Sequence, residues 1–333
     1  MPTMNLPADS LLADLRESNH LLGDRAALEA EWNRHGYWFF RDALSLEAVE
    51  DFRRPVREQL VGIGVVDARG DDVAWNGTPL DRFPAANMAG YDPFPALVRS
   101  RRWMDFLARP EISGFFEQAL GAVPGWVAVA ELRITPPGED TSAGLFTWPH
   151  QDGFYNEGYR CLTAWMPLWP VSKAAGGLAL AEGMHRTGYF HDTAEPPRFP
   201  IPEGPVPPEA WRTADYRPGD VVLFDRHLPH SGQRNRSQRD FRVSFDVRCV
   251  LPGDPAPLLG HVDTVSESSV ALRLADGSIR ALRLDAESYV RGVRPGSALR
   301  LPPAEVAEQY PPGQEVLVTL DGDRILLLRE PKY

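Results

Sequence analysis

The chain has 333 residues, 43% hydrophobic and 24% charged, with a formal net charge of −11. That length exceeds the usual single domain and predicts one large domain with a smaller companion. Its acidity argues against nucleic acid or an anionic membrane as partner, and its two cysteines provide neither a disulfide framework nor a thiolate metal site.

Cys161 and Cys249 sit in apolar runs and are read as buried packing residues. The opening stretch has no basic flank leading into an apolar core, and no run reaches the ~18 apolar residues of a membrane helix. A cytoplasmic location is therefore expected. In chain order, helical spacing over residues 24–34 stops at His35-Gly36, and an aromatic strand follows at 37–40. Ser45 caps a helix carrying Leu46, Val49, Phe52, Val56 and Leu60 on one side, with a kink expected at Pro55. Two more helices are expected at 100–107 and 111–120.

From Trp126 the period changes to short strands between Gly- and Pro-rich turns, at 127–134, 161–168, 177–181, 221–224 and 241–250. Such a run predicts a mainly β jelly roll flanked by α-helices. Residues 190–218 hold seven prolines from Pro196 to Pro208, and we expect an irregular loop there that serves as a lid over the site. Residues 251–257 look like a linker. Beyond them, 270–274 and 279–284 alternate around Asp276-Gly277, and 315–320 and 324–329 flank Asp321-Gly322-Asp323. With one further strand these hairpins would close a small β-barrel. Domains at 1–252 and 258–333 follow, and the barrel is a candidate surface for self-association or for a carrier protein.

His150-Gln151-Asp152 presents an imidazole and a carboxylate on one face of an extended segment, because side chains alternate with period two. A third ligand must come from elsewhere. His230, just past the apolar run Val221–Phe224, is the best candidate, and His227 competes with it. Two imidazoles and a carboxylate can occupy one face of iron(II) and leave the other face open. His261-Val262-Asp263 repeats the pattern, but no histidine follows it, so it cannot begin the same triad. His20 and His35 are expected at the surface, whereas His185 and His191 flank the proline-rich loop and are within reach of a substrate. The strand 241–250 alternates apolar Phe241, Val243, Phe245 and Val247 with polar Arg242, Ser244, Asp246 and Arg248. A solvent-facing polar side would explain this. Alternatively that side lines the interior, where Arg242 and Ser244 would grip a co-substrate carboxylate, with Arg239 as the second choice.

These residues together resemble the phytanoyl-CoA hydroxylase (PhyH)-like family of iron(II)/2-oxoglutarate dioxygenases, over about Leu28 to Val250. Trp148-Pro-His-Gln-Asp152 is similar to its first ligand motif, and Gly219-Asp220 through His230 to its second. Gly176–His185 resembles a further family stretch, although Glu182 and Met184 replace the usual Pro and Ser. The resemblance implies a double-stranded β-helix of cupin-like type. It also implies Fe(II) on His150, Asp152 and His230, with 2-oxoglutarate and O2 as co-substrates. Arg242 would hold the distal carboxylate, and Ser231 and Trp165 would line the same pocket. Related halogenases have a small residue at the position of Asp152, so the carboxylate favours hydroxylation of an aliphatic C–H in a small molecule, in specialised metabolism. Phe154, Tyr155 and Asn87 are substrate candidates by position. Desaturation, epoxidation or cyclisation on the same scaffold stays open, as does a jelly-roll binding module without catalysis.

Overall fold

The computed structural model describes residues 12–80, 100–138, 148–156, 158–194, 200–293 and 301–332. Helices lead, as expected. Asp24 caps α1 (Arg25–His35) by accepting the Ala27 N–H at 3.0 Å, and Gly36 ends it in the left-handed region at φ 80°. Ser45 caps α2 (Leu46–Gly62), which continues through Pro55 as one element. Two further helices, α3 (Arg102–Ala108) and α4 (Pro110–Leu120), follow.

The strands of the body, in chain order, are β1 (Ala13–Asp14), β2 (Tyr37–Phe40), β3 (Gly125–Thr135), β4 (Leu162–Pro167), β5 (Leu178–Ala181), β6 (Trp211–Thr213), β7 (Val221–Asp225), β8 (His230–Gly232) and β9 (Arg242–Val250). A one-turn helix, α5 (Asp152–Tyr155), lies between β3 and β4. The strands make a five-stranded antiparallel sheet in the order β2-β7-β4-β9-β3 and a four-stranded sheet in the order β1-β6-β5-β8. Alternation decides what each face meets. Val243, Phe245, Val247 and Cys249 of β9 pack with Leu60, Phe106, Phe115 and Phe116 of the helices. On the opposite face, Phe39, Trp165, Val222 and Phe224 share a core with Leu178 and Leu180 of β5, which holds the two sheets together. Every residue of β9 is buried, so its polar face is interior and the solvent-facing explanation is excluded.

The loop expected over 190–218 is corrected in its described part. Trp211–Thr213 is strand β6, pairing with β5 and β1, and Ile201, Val206 and Trp211 pack with Ala179 and Ala181 on the face of β5 turned away from the other sheet. Buried apolar side chains hold residues 201–211 on that face of β5, the side away from the metal cavity.

Beyond residue 257 come β10 (Leu258–Val265), β11 (Ser269–Arg273), β12 (Ile279–Arg283), β13 (Tyr289–Val290), helix α6 (Pro303–Gln309), β14 (Glu315–Asp321) and β15 (Arg324–Arg329). The order β12-β11-β10-β14-β15 closes on itself where Arg283 meets Arg324, and β13 adds to β15. Both expected hairpins are present, and the further strand is β10. The barrel interior is apolar, with Val270, Leu272, Val316, Val318, Ile325 and Leu328 all buried in one cluster. It also abuts the body: Leu317 packs with Val127, Val129, Tyr159 and Cys161, and the Lys332 backbone bonds to Ala128 and Ala130 along the edge strand β3. Among the described residues, no helix is long and apolar enough to cross a membrane.

Candidate metal centre

His150 and His230 come from separate segments, yet their backbones form a closed pair. Each N–H donates to the other's carbonyl at 2.9 Å, which sets the imidazole rings 4.2 Å apart. Each ring is oriented from behind: His150 Nδ1 lies 3.1 Å from the Trp148 carbonyl and His230 Nδ1 lies 3.0 Å from the Leu228 carbonyl. Because a carbonyl can only accept, these bonds place the ring proton on Nδ1, the tautomer in which Nε2 carries the lone pair a metal would take. Burial, and for His150 also the neighbouring ring, holds both imidazoles below their ordinary pKa and therefore neutral at pH 7.

Asp152 opens α5 and completes the group. Its Oδ1 stands 4.0 Å from His150 Nε2 and 3.8 Å from His230 Nε2, and the three ligand atoms lie within 4.8 Å of one another. Burial alone would raise this carboxyl, but the Arg248 guanidinium and the two imidazoles outweigh it and hold the group ionised. Arg248 Nη2 donates to both Asp152 oxygens at 2.8 Å, and Thr163 Oγ1 donates to Oδ2 at 2.6 Å. The donor set of two neutral imidazole nitrogens and one carboxylate oxygen, converging from one side, suits iron(II) with an open opposite face.

A cavity between the sheets adjoins these ligands. His150, His230 and Gly232 line one side; Arg242, Ser244, Asp246 and Arg248 line another, with Arg133, Trp165, Leu178 and Phe224 completing the wall. Arg242 is braced by the carbonyls of Gly176 and Gln233, the latter at 2.8 Å, and by Thr135 Oγ1 at 2.7 Å. Ser244 Oγ is buried and has no hydrogen-bond partner, as a group awaiting a ligand oxygen would be.

Several expectations need correction or refinement. Ser231 does not line the cavity: it pairs with Ala179 on the outer face while His230 and Gly232 face in, and its hydroxyl donates to the Gly232 carbonyl. Trp165 does line it. Tyr155 lies 6.2 Å from the His150 ring, and Phe154 stacks on His191 at 4.0 Å, so the start of the proline-rich segment meets the rim of the site. Asn87 lies outside the described residues. His227 pairs with Asp225, Arg239 is exposed, and Asp263 of the second His-x-Asp pairs with Arg273. His35 is buried against Glu31 and Glu182 rather than at the surface. Arg248, Thr163, Arg133 and Asp246 are site residues that neither the spacing nor the resemblance singles out. Period-two alternation on β3, β4 and β9 would have put them on the inner face with Ser244.

The fold and this centre together define a class, a β protein with an internal two-histidine, one-carboxylate metal site. The chain belongs to the phytanoyl-CoA dioxygenase (PhyH) family, whose pattern matches residues 32–244. It is a 2-oxoglutarate-dependent oxygenase that uses iron. A 1-deoxypentalenic acid 11-beta-hydroxylase from Streptomyces exfoliatus is 30% identical over 251 residues, covering 71% of this chain and 85% of that protein. Its counterpart from Streptomyces arenae is 29% identical, covering 71% and 84%. Among solved structures, the epimerase SnoN in complex with Fe3+, alpha ketoglutarate and nogalamycin RO is 20% identical with a TM-score of 0.47, over 92% of this chain and 99% of that one.

Proposed function

We propose that the chain hydroxylates an aliphatic C–H bond of a small molecule, converting 2-oxoglutarate and oxygen to succinate and carbon dioxide as it does so. In this reading residues 1–252 form a cytoplasmic double-stranded β-helix that carries the activity, with 258–333 as an attached barrel domain. His150, Asp152 and His230 hold the iron. Arg242 and Ser244 take the distal carboxylate of 2-oxoglutarate, Trp165 walls the co-substrate, and Phe154 and Tyr155 face the substrate. The observation that carries this is the convergence of one ligand atom each from His150, Asp152 and His230 within 4.8 Å, beside a cavity whose wall presents a braced guanidinium and a partnerless Ser244 hydroxyl.

Bound iron supplies the oxygen chemistry, with 2-oxoglutarate as the electron source. The chain does the rest. The Nδ1–carbonyl bonds keep the imidazoles aimed, Arg242 and Ser244 fix one end of the co-substrate so that its other end meets the metal, and the apolar wall of Trp165, Leu178 and Phe224 excludes water.

Anaerobic addition of iron(II) and 2-oxoglutarate should give a weak visible charge-transfer band, and its absence in the intact protein would sink the proposal. A succinate-release screen then seeks the substrate, with Asp152→Ala as control; release should fall by more than about 100-fold, the upper range for merely supporting residues of a metal site. 1-Deoxypentalenic acid heads the screen because the relatives are named for its hydroxylation. Mass analysis separates a gain of one oxygen, which is hydroxylation or epoxidation, from the loss of two hydrogens in desaturation or cyclisation.

A further inference from the structure

The two oxygens of Asp152 have different surroundings. Arg248 Nη2 donates to both at 2.8 Å, but Oδ2 also accepts from Thr163 Oγ1 at 2.6 Å, whereas Oδ1 is the oxygen that faces the imidazoles. Strand register makes this arrangement: Thr163 of β4 lies directly opposite Arg248 of β9, and both project inward beneath α5. Arg248 is only 4% exposed, and it is held from its other side by Asp246 Oδ2 at 2.6 Å. Asp246 in turn accepts from Arg133 Nε at 2.6 Å. The buried row Arg133, Asp246, Arg248, Asp152 thus alternates in sign, and each charge offsets the burial of the next.

Two donors, the guanidinium and the hydroxyl, occupy Oδ2 and leave it little capacity for a metal, whereas Oδ1 takes only the guanidinium and keeps a lone pair on the side of the imidazoles. We propose that Arg248 and Thr163 commit Asp152 to bind iron through Oδ1 alone, and so set the number of positions left open. This rests on the metal assignment above. A three-ligand face leaves three of six positions, enough for a chelating co-substrate and oxygen. Were both oxygens of Asp152 to bind, two would remain, and a chelating 2-oxoglutarate would fill them. Arg248 is therefore a positioning residue, acting through Asp152.

The test is anaerobic titration of the metal-free protein with cobalt(II), read from its ligand-field absorption with and without 2-oxoglutarate, on wild type, Thr163→Val, Arg248→Met and Arg248→Lys. Valine keeps the shape of threonine without the hydroxyl, so that variant should fold even if Arg248→Met does not. In Arg248→Met cobalt affinity should fall about 10–100-fold, the range for supporting residues of a metal site, and the bands should change shape. Thr163→Val should move both in the same direction by less, and Arg248→Lys should recover part of the affinity, because an ammonium keeps the charge without the planar fork. Folded Thr163→Val and Arg248→Met proteins with wild-type bands would overturn the proposal, whatever their affinity or melting temperature. A wild type that binds no cobalt would instead overturn the metal assignment.

Discussion

The body, built of two facing sheets, and the barrel, a single sheet closed on itself, have interiors opposite in kind. Between the sheets of the body lie Arg133, His150, Asp152, His230, Arg242, Asp246 and Arg248, all buried or nearly so. Among the described residues, the barrel interior holds aliphatic side chains with Tyr310, and its buried Arg329 lies beside Leu317 on the side toward the body. Burying an ionised group costs several kcal/mol unless it is paired, so a charged interior stabilises a fold less than an apolar one of equal size would. The body keeps its charges because the chemistry uses them. The barrel has no such need and is built as a dry core.

Crossed substitutions sharpen this contrast. Leu328→Ala removes a fully buried side chain from the barrel core and should cost about 2–5 kcal/mol of stability, read as a lower urea midpoint. The surviving folded protein should bind cobalt and 2-oxoglutarate as wild type does; a parallel loss of metal affinity would show that the two interiors are not independent. Arg242→Gln should act the other way. Replacing a buried guanidinium that meets a carboxylate should weaken 2-oxoglutarate binding on the order of 100-fold, with cobalt affinity nearly unchanged, and Arg242→Lys should recover part of it. Unchanged 2-oxoglutarate binding in Arg242→Gln would move the carboxylate site elsewhere on the cavity wall.

The contrast was half legible in the sequence. Alternation on β9 separates Arg242, Ser244, Asp246 and Arg248 from their apolar neighbours, and His150, Asp152 and His230 emerge from spacing. Alternation fixes parity within one strand but not which side meets which neighbour. The resemblance implies Ser231 in the cavity, but adjacent strand residues face opposite ways and Ser231 points outward beside inward His230. Alternation shows Arg248 as polar but gives it no role, because its pairing with Asp152 depends on the register of β4 against β9 and on where α5 sits. The short strand β6 was hidden among prolines, which mask a three-residue strand. Docking of the barrel on the body left no local pattern at all. It is carried by single residues such as Lys332, which pairs with buried Glu131, and Arg329, whose Nη1 donates to Asn156 Oδ1 at 3.3 Å.

That seam contains a built-in reporter. Cys161 packs with Leu317 of the barrel and with Val127, Val129 and Tyr159 of the body, whereas Cys249 lies deep in the body core. Burial pushes the Cys161 thiol from its usual value near 9 up to about 12, and it pushes Cys249 in the same direction. The thiolate is the reactive form, so neither cysteine should react with a disulfide reagent in the native protein at pH 8. A raised acid pKa fixes the sign for stability: the contribution is complete below pH ~9 and is lost as pH rises toward about 12. The urea midpoint should therefore fall across that window. Leu317→Ala thins the cover on Cys161 alone. If the barrel opens from the body locally, each ~1.4 kcal/mol lost from the closed state raises the open population tenfold, and Cys161 should react at least about tenfold faster while Cys249 stays silent. Equal acceleration of both thiols would mean that body and barrel open only by unfolding together, as one cooperative unit with two unlike interiors.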